Sequence, residues 1–413
     1  MFSQTLQEDL YHCLKCGMCQ QMCPTFRAVR REYFAPRGRI QIIKHYLEGD
    51  IRVSPIFQQA IMSCTLCDAC SAMCPSGVRI DRVFRMMRGE LANAMGPGIT
   101  KNVLFSILRS MSLMRTAARL GRAGQRLLVD GLRLAGKLGN IPLSRLPRFN
   151  KRSFRGSVGG RIAPQREAAG RVLYFTGCAT ELFYEDVGYA VVDILTRLGF
   201  EVIVPHNQVC CGAPIFLAGF GRRSLPNVLK NLAILDDPTA TAIVVDCATC
   251  GSALKKEIPL LLRDLGQDTG QALRVAEKVK DVTELVSERL DLLDWAGAIA
   301  SPVTVTYHDP CHLVRGMGVR EEPRRILRSV PHVRLVEMED ASMCCGGAGS
   351  YQFENVDLSR CITSKKTESI RASGATIVAT GCPGCRLTLA GNLADAPEIE
   401  VLHTVQVLAR SLL

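Results

Sequence analysis

The sequence predicts an α+β protein: a mainly helical N-terminal segment followed by a duplicated α/β unit. Three observations carry that expectation. The run CLKCGMCQQMCP (13–24) returns as CTLCDACSAMCP (64–75), so C-x2-C-x2-C-x3-C-P occurs twice near the N-terminus. From Arg171 onward, short apolar runs alternate with segments of helical periodicity, the pattern of α/β layers around a largely parallel sheet. The cysteines of that second half fall in two registered sets. Cys178 matches Cys311, Cys210-Cys211-Gly212 matches Cys344-Cys345-Gly346, and Cys247/Cys250 match Cys382/Cys385. The offsets are 133, 134 and 135 residues, so 171–298 and 299–413 read as two copies of one domain.

Bulk composition limits the class. The chain has 413 residues, 47% of them hydrophobic, enough for two or three domains with substantial cores. Nineteen cysteines would fit a secreted disulfide scaffold, but MFSQTLQEDL lacks the basic start and apolar run of a signal peptide. The odd cysteine count and tight C-x2-C spacing favour metal ligation in a reducing compartment, so a cytoplasmic location is expected. No stretch approaches ~20 uninterrupted apolar residues, and no transmembrane helix is expected. The formal charge is +12, and residues 96–168 alone hold fifteen Lys and Arg against two acidic residues. The basicity therefore belongs to a connecting region and not to a nucleic-acid-binding domain.

Taken in order, residues 1–95 are expected to be helices separating two metal-holding loops. Between the cysteine runs, Pro36 and Gly38 read as a turn, and Ile40, Ile42, Ile43, Tyr46 and Leu47 follow helical spacing. Residues 96–170 read as a basic helical connector and linker. Within it, 103–128 has the pattern of one basic amphipathic helix, and the Gly-rich 155–165 reads as linker. Such a helix suits an acidic partner, or peripheral contact with an anionic surface such as the cytoplasmic face of the inner membrane; a solvated helix would need neither. No aromatic residues interleave its arginines, and no nucleic-acid partner is expected. Strands are expected at 172–177, 202–205 and 242–246 in the first copy, and at 303–309, 333–338 and 376–381 in the second. Helices are expected at 182–199, 253–265, 322–329 and 356–372.

The N-terminal spacing has a geometric reason. Three cysteines, each three residues after the last, wrap one face of a cube through a tight loop. Proline after the fourth is expected to stop the local helix or strand. This run is the bacterial ferredoxin pattern, in which the fourth cysteine ligates the other cluster. Cluster one is thus assigned Cys13, Cys16, Cys19 and Cys74, and cluster two Cys64, Cys67, Cys70 and Cys23. Two [4Fe-4S] clusters mean one-electron transfer; a pair of zinc sites is the alternative, disfavoured by the doubled motif.

Each later copy places one cysteine past a strand, a Cys-Cys-Gly on a loop, and a C-x2-C past another strand. Open α/β sheets gather ligands at the carboxyl ends of their strands, so five thiols are expected to converge in each copy. Five exceed what one tetrahedral zinc needs and suit a multi-iron cluster, with structural zinc as the alternative. Cys361 stands outside both sets and is expected to pack inertly in a helix.

This layout resembles a family in which a two-cluster ferredoxin domain is followed by two cysteine-rich CCG domains. Within it, APRGRIQIIKHYLEGD (35–50) and CPSGVRID (74–81) look like the iron–sulfur subunit of glycolate oxidase, a component also found in D-lactate dehydrogenase complexes. The iron–sulfur subunit of anaerobic glycerol-3-phosphate dehydrogenase and the catalytic subunit of heterodisulfide reductase are further relatives. The resemblance implies a separate FAD-binding subunit that oxidises glycolate or D-lactate, with electrons passing through this chain to a quinone or other acceptor. It also implies non-cubane clusters on Cys178, Cys210, Cys211, Cys247 and Cys250, and on Cys311, Cys344, Cys345, Cys382 and Cys385. Some glycolate oxidase subunits have lost a cysteine from the C-x2-C pairs, whereas this chain keeps all five in both copies. YHDPCHL (307–313) looks like the heterodisulfide reductase side, so disulfide reduction at a non-cubane cluster is the competing expectation.

Other signals are weaker. GGAGSY (346–351) lacks G-x-G-x-x-G, and neither G-x-S-x-G nor H-E-x-x-H occurs, so the organic cofactor that hydride chemistry needs is expected on another chain. No catalytic residue is assigned. His308 and His312 flank the Cys311 loop and are expected to orient ligands by hydrogen bonding, with proton handling as the bolder role.

Overall fold

The structure, a computed structural model, describes residues 4–131, 136–295 and 302–412. The expected junction at 298/299 lies outside the described residues. Apolar runs that are buried on both faces form parallel strands, because only a sheet covered on both sides suits a continuous hydrophobic segment. The first sheet contains β1 (Arg161–Ile162), β2 (Gly170–Phe175), β3 (Phe200–Ile203), β4 (Ala242–Val245) and β5 (Val279–Asp281), in the order β1-β3-β2-β4-β5. The second contains β6 (Val303–Tyr307), β7 (Val333–Val336), β8 (Ile377–Thr380) and β9 (Glu400–His403), in the order β9-β8-β6-β7. All neighbours are parallel except β1, which runs antiparallel to β3. Leaving β1 aside, the orders β3-β2-β4-β5 and β7-β6-β8-β9 are the same topology, as a duplication requires.

The copies also contact each other reciprocally. Helix Glu185–Arg197 of the first packs on Thr404–Ala409 of the second, and Val282–Ser287 of the first packs on Glu321–Ser329 of the second. One buried cluster, including Val191, Leu195, Val286, Ile326, Val405 and Leu408, joins them. Matched capping boxes start the two terminal helices, with Asp281 and His403 as N-caps and Glu284 and Gln406 closing them.

Several local expectations are corrected. Pro36 and Gly38 do not make a turn; they open helix Pro36–Leu47, with Pro36 at its first position, where the missing N–H costs nothing. Gly38 is needed there because a Cβ would lie 2.1 Å from the Glu32 carbonyl oxygen. Pro24 likewise starts a helix (Pro24–Val29) and does not stop one. The single basic helix is two, Gly98–Arg109 and Met111–Gly124, broken at Ser110, whose extended backbone lets its hydroxyl accept from Leu113 N. The stretch read as linker is part of the first unit: Phe154 and Arg155 are fully buried, and Arg161–Ile162 supplies the edge strand. Cys361 is exposed and does not pack inertly.

Candidate metal centres

Both N-terminal loops are built the same way. The backbone turns left-handed at Lys15 and Gly17 in the first and at Leu66 and Asp68 in the second, and short helices Met18–Gln21 and Ala69–Ala72 follow. Asp68 tolerates this conformation while Arg85 holds its carboxylate at 2.9 Å through both oxygens. One small cavity is lined by Cys13, Cys16, Cys19 and Cys74, and another by Cys23, Cys64, Cys67 and Cys70. The fourth cysteine of each run thus sits with the first three of the other. The two groups differ in exposure: Cys16 is exposed, whereas Cys23, Cys64, Cys67 and Cys70 are all buried.

In the α/β copies the cysteines lie past the carboxyl ends of the strands. Cys178 is in helix Gly177–Leu182 after β2, and Cys247 caps the helix after β4. The Cys-Cys-Gly loops are clamped from behind by helices. Asn227 Nδ2 and Asn231 Nδ2 each donate to the Cys210 carbonyl at 3.1 Å, and Thr363 Oγ1 donates to that of Cys345 at 2.9 Å. Gly212 and Gly346 turn the chain with φ of +89° and +88°.

The two sets of five are not separate. In the first copy the thiols follow one another in the order Cys178, Cys210, Cys211, Cys250 and Cys247, each interacting electrostatically with the next. They continue from Cys247 to Cys382 across the pseudo-twofold contact, then through Cys385, Cys345 and Cys344 to Cys311. The Cys211–Cys250 and Cys345–Cys385 sulfurs are each 3.5 Å apart. At its far end the run meets the N-terminal segment: Cys67 packs with Cys344 and Cys311. Arg315 ties them together, donating to the Cys67 carbonyl at 3.3 Å and the Ser342 carbonyl at 2.9 Å. Sequence reasoning missed Arg315; the available signal was a cation four residues after Cys311, one helical turn away.

Electrostatics show what such a run requires. Burial pushes the Cys67 thiol up to about 12 and the Cys19 thiol up to about 11. Cys211, Cys344 and Cys382 are held well below the ordinary thiol range by interaction with the neighbouring thiols of Cys210, Cys311 and Cys247 respectively. So many buried thiols ionise together only if cations take their place as partners. The donor set fits thiophilic metal. His312 Nδ1 pairs with Thr249 Oγ1 at 3.0 Å, and that hydroxyl lies 3.6 Å from Cys382 Sγ. His308 is fully buried, and neither ring nitrogen has a hydrogen-bond partner.

A model of the cysteine-rich CCG domain matches residues 172–255 and 305–390, and a model of the 4Fe-4S dicluster domain matches 9–78. The chain belongs to the family of iron–sulfur oxidoreductase subunits that join a 4Fe-4S dicluster domain to two CCG domains. It is 28% identical to the probable glycolate oxidase iron–sulfur subunit of Bacillus subtilis, over 94% of this chain and 90% of that one. Identity to a subunit of the fumarate reductase (CoM/CoB) of Methanothermobacter marburgensis is 31%, over 97% of this chain and 71% of the other. A subunit of the dihydromethanophenazine:CoB–CoM heterodisulfide reductase of Methanosarcina acetivorans is 26% identical over 98% and 94%. Iron–sulfur clusters are therefore the cofactors, and the chain is a component of an oxidoreductase. Among the described residues no helix is long and apolar enough to cross a membrane.

Proposed function

We propose that this chain is the electron-transfer subunit of a complex whose FAD-bearing partner oxidises glycolate or D-lactate and whose acceptor is a quinone or another carrier. Bound clusters supply one-electron transfer; the protein supplies spacing, insulation and an entry point. The ligands are Cys13, Cys16, Cys19 and Cys74 for one cube and Cys64, Cys67, Cys70 and Cys23 for the other. The two CCG sets hold further clusters. The observation that carries this reading is proximity: neighbouring cysteines, buried or half-buried, lead from Cys67 through Cys344 and across Cys382–Cys247 to Cys178. Entry falls at the first loop, where Cys16 is exposed and Leu14, 75% exposed, offers apolar surface to a partner.

A second reading has its own observation. A cavity of about 160 Å³ opens beside Cys311, Cys344, Cys345 and Cys382, bordered by Thr249 and His312. It suits a small substrate at the second set, as disulfide reduction would require. The Cys16→Ser variant of the intact complex tests the relay. Electron flow to the natural acceptor should stop, while partner activity with an artificial dye persists. Full-rate reduction of the natural acceptor would contradict it.

A further inference from the structure

The two CCG sets look alike in their cysteines but differ in one neighbour. At the end of the strand that leads to the first cysteine, the first copy has Phe175 and the second has His308, 133 residues later. Both are fully buried. His308 is fixed by its backbone, whose N–H donates to the Ala379 carbonyl at 2.9 Å. Its ring has no protein partner at either nitrogen, an arrangement that costs stability unless something else fills the role. What lies nearby is sulfur: a ring nitrogen of His308 and the Sγ atoms of Cys345 and Cys385 all fall within 4.8 Å of one another.

The spacing suits shared ligation. A metal held about 2.0–2.1 Å from nitrogen and about 2.3 Å from sulfur keeps its ligand atoms roughly 3.5 Å apart. The Cys345 and Cys385 sulfurs already stand at 3.5 Å. Resting on the reading that the second set binds metal, we propose that His308 is a sixth donor there, giving that centre a nitrogen ligand that the first lacks. A neutral nitrogen donor added to five thiolates leaves their charge in place and gives the second centre a mixed nitrogen and sulfur ligand set. The two CCG centres are then unequal in their ligands.

The experiment is pulsed electron paramagnetic resonance on the reduced holo-complex, made with natural-abundance and with 15N-histidine. A hyperfine coupling that changes with the label is expected, lost in His308→Phe, which copies the first site, and kept in His312→Gln. No such coupling, or one surviving in His308→Phe, would overturn the proposal. Should His308→Phe fail to fold, His308→Asn removes the imidazole with a smaller polar side chain and must lose the coupling as well. Metal analysis separates this from failure of the iron reading. If iron accounts only for the two cubes, X-ray absorption at the zinc edge replaces the measurement. A shell with one nitrogen sustains the His308 assignment, whereas an all-sulfur shell, or no metal at the second set, ends it.

Discussion

Gly346 shows how little freedom the cysteine loops have. Its φ is +88°, and a Cβ there would come within 2.5 Å of Thr363 Oγ1, the hydroxyl that holds the Cys345 carbonyl. Gly346→Ala should cost about 1–3 kcal/mol and loosen the second set. The check is a chemical denaturation curve together with iron content, and an unchanged midpoint would contradict it. Asp281 makes a different test. Burial pushes its carboxyl up from 3.8 to about 7. The native state therefore keeps a proton that the unfolded chain loses, so this contribution is present below pH 3.8 and is lost as pH rises through about 7. Asp281→Asn keeps the cap on Thr283 N but cannot ionise. It should raise the melting temperature at pH 8, by an amount reflecting a few kcal/mol, and leave it nearly unchanged at pH 4. Equal effects at both pH values would sink the assignment.

Elements are held by side chains from distant segments, and the basic connector depends on one acid. Glu181 is fully buried and takes Arg115 at 2.9 Å, Ser153 at 2.6 Å and the Arg155 guanidinium at 3.4 Å. Arg155 continues inward to the Gln208 carbonyl at 2.5 Å. Removing Arg155 leaves Glu181 with the partly exposed Arg115 and leaves the Gln208 carbonyl without this donor, so Arg155→Met should destabilise by about 1–3 kcal/mol. Adding Glu181→Gln should recover part of that loss in the same denaturation assay; a purely additive double variant would contradict the pairing. The central strands were legible in the sequence because both their faces are buried, giving continuous apolar runs such as AIVV (242–245) and IVAT (377–380). Strands β5 (VKD) and β9 (EVLH) were not, since each is short and carries charge at an end. Helix Gly221–Leu235 was hidden by Pro226 in its interior. The break at Ser110 was missed because apolar periodicity runs on across a residue that caps the next helix.

On the scale of the molecule, the eighteen cysteines of the repeated patterns were readable from spacing alone, and so was their division into two loops and two copies. What spacing could not convey is adjacency between copies. The Cys247–Cys382 contact and the meeting of Cys67 with Cys344 arise from tertiary packing of segments over a hundred residues apart. The unpaired ring of His308 was equally invisible, because hydrogen-bond satisfaction is a property of the folded interior. Part of the connector's charge also serves inside the fold, which spacing could not convey. Arg109, Arg122 and Arg145 of the connector donate to the carbonyls of Arg223, Asn150 and Ala394, bracing both α/β copies. The most direct test of the relay is made on the complex isolated anaerobically from its source. Glycolate, then D-lactate, is added, and the iron–sulfur signals are followed by electron paramagnetic resonance. Reduction by one of the acids is the expected result, and it names the substrate. No reduction by either, with reoxidation of chemically reduced clusters by a disulfide, would contradict the hydroxy-acid relay and establish the reductase in its place.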